Sequence, residues 1–130
     1  MGKNLLKSMA CALCLAMASG VVLAHHGASV VYDLSQHLTM TGTVTDFQFV
    51  NPHVLIFFEV EGEDGAKTVW SAGLTSPNRL ARSDGWSKDM FKPGDTVTIT
   101  GSPARAGAPS LWVEAVLDGQ GKSLLGGPGE

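Results

Sequence analysis

The chain has 130 residues, with 12 acidic and nine basic side chains, a formal net charge of −3 and 16% charged residues. An acidic chain without a basic run argues against nucleic acid and against an anionic membrane surface as partners. The length limits it to one small domain with a single core.

The first two dozen residues read as an export signal. Lys3 and Lys7 give a positive start, and Leu13 to Leu23 form an apolar, Ala-rich stretch. Val22 and Ala24 then stand at −3 and −1 of a signal-peptidase site. The apolar run is shorter than the ~20 residues that span a bilayer. Residues 1–24 are therefore expected to be removed, leaving 106 residues in the periplasm or outside the cell, with no transmembrane segment. Cys11 and Cys14 leave with the signal, and neither sits in a lipobox. The processed chain then has no thiolate or disulfide. Loss of Lys3 and Lys7 takes its net charge from −3 to −5.

Residues 25–37 form a lead-in to the domain expected over residues 38–118. "LTMTGTVTDFQFV", from Leu38 to Val50, alternates Leu38, Met40, Gly42 and Val44 with threonines, the pattern of a long half-buried strand. Gly42 marks an expected bulge or bend. Asn51-Pro52 interrupts the strand. "HVLIFFEVEG" is a second strand, with Val54, Ile56, Phe58 and Val60 on one face. "EDG" at Glu63 to Gly65 makes a hairpin turn into the third, "AKTVWSAGL". A short helix follows, with Ser76 as N-cap, Pro77 at the first position and Gly85 as the stop. The Pro93-Gly94 turn leads to "DTVTITG" and, across the loop "SPARAGAP", to "SLWVEAVLD". Residues 119–130 are expected as a flexible tail.

Three strands, a short helix and two strands give an all-β fold. The order suits a five-stranded OB-type Greek-key barrel with the helix between strands three and four. A small β-sandwich and an open meander are the alternatives.

One group of motifs spans nearly all of the processed chain: His25-His26, Tyr32-Asp33, Gly42-Thr43-Val44, Asn51-Pro52-His53, Trp70, Ser76-Pro77-Asn78 and Lys92-Pro93-Gly94-Asp95. In these the chain resembles a family of small exported bacterial proteins known only as a domain of unknown function. The resemblance implies a family and no activity.

The histidines carry the strongest chemistry. Cleavage after Ala24 gives His25 a free α-amine beside its imidazole, which together chelate. A further imidazole from His26 or His53 completes a three-nitrogen site. The amine's reference pKa near ~7.7–8.0 lets a metal displace its proton at neutral pH. Nitrogen donors in a tetragonal arrangement suit copper, as Cu(II). Exposed terminal histidines are also often merely solvated, and His53 can equally satisfy a backbone group at a strand end. His37 has a weaker claim.

In architecture alone the chain is similar to small periplasmic OB-barrel copper chaperones, which hold Cu(I) through His and two Met under a Trp ring. Met40, Trp70 and Met90 are matching residue types, but no Met-x-Met pair stands on a strand, and Met40 alternates as a core residue. Trp70, Trp86 and Trp112 read as packing residues or as a platform for a ligand. Trp70 with Tyr32 and Asp33 are the candidate ligand contacts, for a small molecule or an envelope protein. Arg79 and Arg82 form an anion-binding pair or a solvated helix face. No nucleophile elbow, zinc motif or phosphate loop is present, so a binding role is expected ahead of an enzyme. An enzyme would require His53 paired with a carboxylate such as Asp33.

Overall fold

The computed structural model describes residues 27–126. The chain divides into two compact units between Val30 and Val31, and the second holds every strand. A five-residue helix, α1 (Gly27–Val31), buries none of its side chains.

Five strands close into a barrel: β1 (Leu38–Gln48), β2 (Leu55–Glu61), β3 (Lys67–Gly73), β4 (Thr96–Pro103) and β5 (Ser110–Leu117). Their order is β1-β2-β3-β5-β4, with β4 returning to β1. All neighbours are antiparallel except β3 and β5. This is the OB arrangement, with α2 (Pro77–Asp84) between β3 and β4. The sandwich and the meander are thereby set aside.

β1 is long because it serves two partners. Leu38 to Thr43 pair with β4, and Thr43 to Gln48 pair with β2. Gly42 sits where the partner changes. A Cβ there would lie 2.5 Å from the Glu59 carbonyl oxygen and 2.9 Å from the Phe58 ring, so only glycine fits without displacement. The bulge itself falls later than expected, where the register slips between Val44 and Asp46 around Thr45. Gly42 thus admits a close approach, and the extra residue bends the strand.

Alternation sorts the side chains. Val44, Ile56, Phe58, Ala72, Val97, Ile99, Leu111 and Val116 point into one core that also takes in Val54, Leu74, Leu80, Trp86 and Phe91. Burying a side chain such as Phe58 contributes about 1.5–3 kcal/mol. Outside, Thr39 bonds Thr100 and Thr41 bonds Thr98 across the β1–β4 pair, each at 2.8 Å. Among the described residues, no buried side-chain nitrogen or oxygen lacks a hydrogen-bond partner.

The helix starts at Pro77 after Ser76 and stops at Gly85, which is left-handed and returns its neighbour's N–H toward Leu80. Pro77 and Leu80 are buried, whereas Arg79 and Arg82 face outward. Ser76 holds the N-cap position without a side-chain cap hydrogen bond.

Within the segment expected as a flexible tail, the described residues 119–126 fold back onto the barrel. Asp118 N–H donates to the Lys122 carbonyl, Leu124 N–H donates to the Val116 carbonyl, and Leu117 bridges Ser123. Trp86 Nε1 donates to the Leu124 carbonyl at 2.6 Å. Leu124 and Leu125 pack against the core. Two leucines after a Gly-Lys-Ser stretch thus repay the ordering entropy of the turn before them.

The loop between β4 and β5 is also tied down. Its Arg105 N–H donates to the Val31 carbonyl, Tyr32 bridges Ala104, and Asp33 N–H donates to the Pro103 carbonyl at 2.8 Å. The end of the lead-in is therefore fastened to this loop by an isolated antiparallel bridge and its flanking hydrogen bonds.

Candidate functional site

β5 supplies the centre of the site. Leu111 points into the core and Val113 packs against it, so Ser110 and Trp112 face outward. Glu114 joins that row through an irregularity. Gly101 pairs with Val113 and Thr100 with Ala115, which leaves Glu114 as the extra residue of a bulge. Gly101 permits this pairing, because a Cβ there would run into the Trp112 carbonyl oxygen.

Trp112 is half-buried, with its ring lying over Gly73, its register partner on β3. Tyr32 approaches with a ring-centroid separation of 6.0 Å and a tilt of 40°. The Tyr32 hydroxyl reaches Ser110 Oγ at 3.1 Å. His53 approaches edge-on, 5.5 Å between centroids and 86° between planes.

His53 is positioned by the backbone around it. Leu74 N–H donates to the Val54 carbonyl and Val54 N–H donates to the Thr75 carbonyl. The Leu74 carbonyl then stands 3.1 Å from His53 Nδ1. A carbonyl only accepts, so Nδ1 carries the proton. Nε2 is then the ring nitrogen not engaged by the backbone, on a residue that is exposed overall. An imidazole whose Nδ1–H is anchored in this way is oriented as metal-ligating histidines are.

Further along the strand, Glu114 holds His37 Nδ1 at 2.8 and 3.0 Å and accepts a 2.7 Å hydrogen bond from buried Ser102 Oγ. Ser102 braces the carboxylate, and the carboxylate orients His37. Because Ser102 donates to Glu114 and not to a histidine, this is no Ser–His–carboxylate relay.

Not every residue singled out from sequence belongs here. Asp33 lies next to Tyr32, but its oxygens are occupied by Ser35 Oγ at 2.7 Å, Ser35 N–H at 3.2 Å and Gln36 Nε2 at 3.0 Å, with Arg105 at 3.8 Å. The Ser35 hydroxyl and then its N–H hold this carboxyl below its ordinary value. Asp33 is a turn residue of the lead-in and does not pair with His53, whose Nδ1 goes to Leu74. Asp33 is therefore not the carboxylate partner of His53 that an enzyme reading offered as its example. Trp70 shares a β3 face with Ala72, which is buried, and packs against the core opposite Phe58. The tryptophan beside Tyr32 and His53 is Trp112. Met40 and Met90 also pack against the core. His25 and His26 lie outside the described residues.

Sequence reading missed Ser110 and Glu114, and weighed Trp112 only as a packing residue or platform, with Trp70 preferred as the ligand contact. The signal was available in "SLWVEAVLD", where Ser110, Trp112 and Glu114 alternate. Together, the β1–β2 loop carrying His53 and the loop before β5 frame the region where OB folds take ligands.

The profile of a family of unknown function, DUF6152, matches residues 12–111. The chain belongs to that family. The matched segment includes Tyr32, His37, His53 and Ser110 and ends one residue before Trp112. No curated protein matches the chain. The family brings no function with it, and the chemistry has to be read from the site.

Proposed function

We propose that this is an exported binding protein that takes up copper, with His53 Nε2 as the barrel's own ligand. The observation that carries the reading is the hydrogen bond from His53 Nδ1 to the Leu74 carbonyl, which leaves Nε2 as a fixed, exposed nitrogen donor. Among the described residues no three His, Cys, Asp or Glu side chains gather as a metal site. A tight site therefore needs further donors, and the sequence supplies nitrogen donors in the amine and imidazole of a processed His25 and the imidazole of His26. An all-nitrogen set favours Cu(II) among the common divalent ions.

Calorimetric titration with copper tests this on three proteins: the chain cleaved after Ala24, the same chain with one residue ahead of His25, and His53→Ala. The first should bind at micromolar or tighter affinity, and each of the others about tenfold or more weaker. Equal affinity in all three overturns the site.

A second reading is supported by the aromatic surroundings of the same histidine. Tyr32 and Trp112 beside the β1–β2 and β4–β5 loops suit a small ligand or an envelope protein partner. It predicts a change of Trp112 fluorescence with that ligand and none with copper.

A further inference from the structure

A concave site with none of Trp112, Tyr32 or His53 in its lining is a groove of about 500 Å³. It exists because the tail folds back: Leu124 forms one wall, and Met90 and Phe91, from the loop after α2, supply more apolar surface. Two carboxylates, Asp95 and Asp118, line it, and no lysine or arginine does.

Both carboxylates are held rigidly by backbone donors. Asp95 Oδ2 accepts the Lys92 N–H at 2.8 Å. Asp118 Oδ1 accepts the Gln120 and Lys122 N–H groups, each at 2.9 Å. In each side chain those bonds use one oxygen. Asp95 Oδ1 and Asp118 Oδ2 remain as acceptors whose positions the turns have already set, so a ligand need not order them. The volume is within the range of small-molecule sites, roughly 300–1,000 Å³.

From this charge and shape we infer that the groove binds a small organic cation with an apolar body, such as a protonated arylalkylamine. The apolar body lies against Met90, Phe91 and Leu124. The ammonium donates to Asp95 and Asp118 in charge-assisted hydrogen bonds. An anion of the same shape meets two fixed negative charges in a lining that holds no lysine or arginine.

Methionine-methyl NMR of the purified protein tests this, with the Met90 signal assigned from Met90→Leu. Phenethylamine is the probe, compared with 2-phenylethanol and 3-phenylpropionate as neutral and anionic analogues. The Met90 methyl should shift with phenethylamine, and both analogues should bind about tenfold or more weakly. Asp95→Asn with Asp118→Asn should abolish the preference for the amine. The Asn side-chain oxygens still accept the backbone N–H groups, so the turns persist. His53→Ala should change nothing here, which separates this site from the copper site. Equal binding of all three probes, no shift of Met90, or an unchanged preference in the double variant overturns the proposal.

Discussion

Trp86 and Trp112 carry the same side chain to opposite ends. Trp86 is 2% exposed, meets Phe91 edge-on at 5.6 Å between centroids and Phe47 at 6.3 Å, and gives its N–H to the Leu124 carbonyl. Trp112 lies on the outside of β5 between Tyr32 and His53. In the first cluster every neighbour is apolar and the single polar atom is satisfied within the protein. In the second, the neighbours bring a hydroxyl and the imidazole of an exposed residue that spends only Nδ1 on the backbone. The difference teaches that aromatic content alone does not mark a site. A ring becomes a candidate contact when the polar groups around it keep unused bonding capacity.

The comparison breaks most visibly in Trp86→Ala. Removing a buried indole should cost about 3–5 kcal/mol in denaturant unfolding. It also frees the Leu124 carbonyl and should loosen the folded-back tail, detectable as faster amide exchange at Leu124. Trp112→Ala should be far milder, about 1 kcal/mol, the scale of an aromatic pair beyond its area. Its effect should fall instead on fluorescence, removing the response to any ligand held at His53. If the two variants lose stability equally, the distinction between core ring and site ring fails.

The smallest effect is expected at Asp33. Its carboxyl is lowered in the fold chiefly by the Ser35 hydroxyl, so it stabilises the folded chain above the ordinary carboxylate value of 3.8. That contribution is lost as the pH falls below 3.8 through the depressed value. Acid titration followed by near-ultraviolet circular dichroism should show the Tyr32 and Trp112 signal weakening in this window. Asp33→Asn should be flat there and otherwise folded.

Much of the barrel was legible because its strands alternate cleanly. Val54, Ile56 and Phe58 could be placed inside from "HVLIFFEVEG" alone, and Ser76-Pro77 with Gly85 bounded the helix. β5 was harder. The extra residue at Glu114 shifts the alternation, so Leu111 and Val116 are both buried although they differ in parity. Ser110 and Trp112 alternate before that slip, but the strand as a whole keeps no single parity, and Trp70 was preferred as the ligand contact. The tail misled for another reason. Leu124 and Leu125 are ordered by contacts with Trp86 and Val116, far away in sequence or in another element, and local composition carries no trace of them. His53 was legible as a residue after a strand break, but its anchored nitrogen depends on Leu74, which only the barrel's pairing brings near.

The parallel seam of the barrel has a mechanical consequence. β3 meets β5 only through Ser71, Ala72 and Gly73 against Ser110, Leu111 and Trp112, the shortest of the pairings around the ring. His53 hangs from Leu74, just past the β3 side of that seam, and Trp112 stands on the β5 side. A ligand gripped by both works as a clasp across the joint where the ring opens most readily. Its binding free energy then adds directly to closure, so an occupied barrel should outlast an empty one in heat and denaturant.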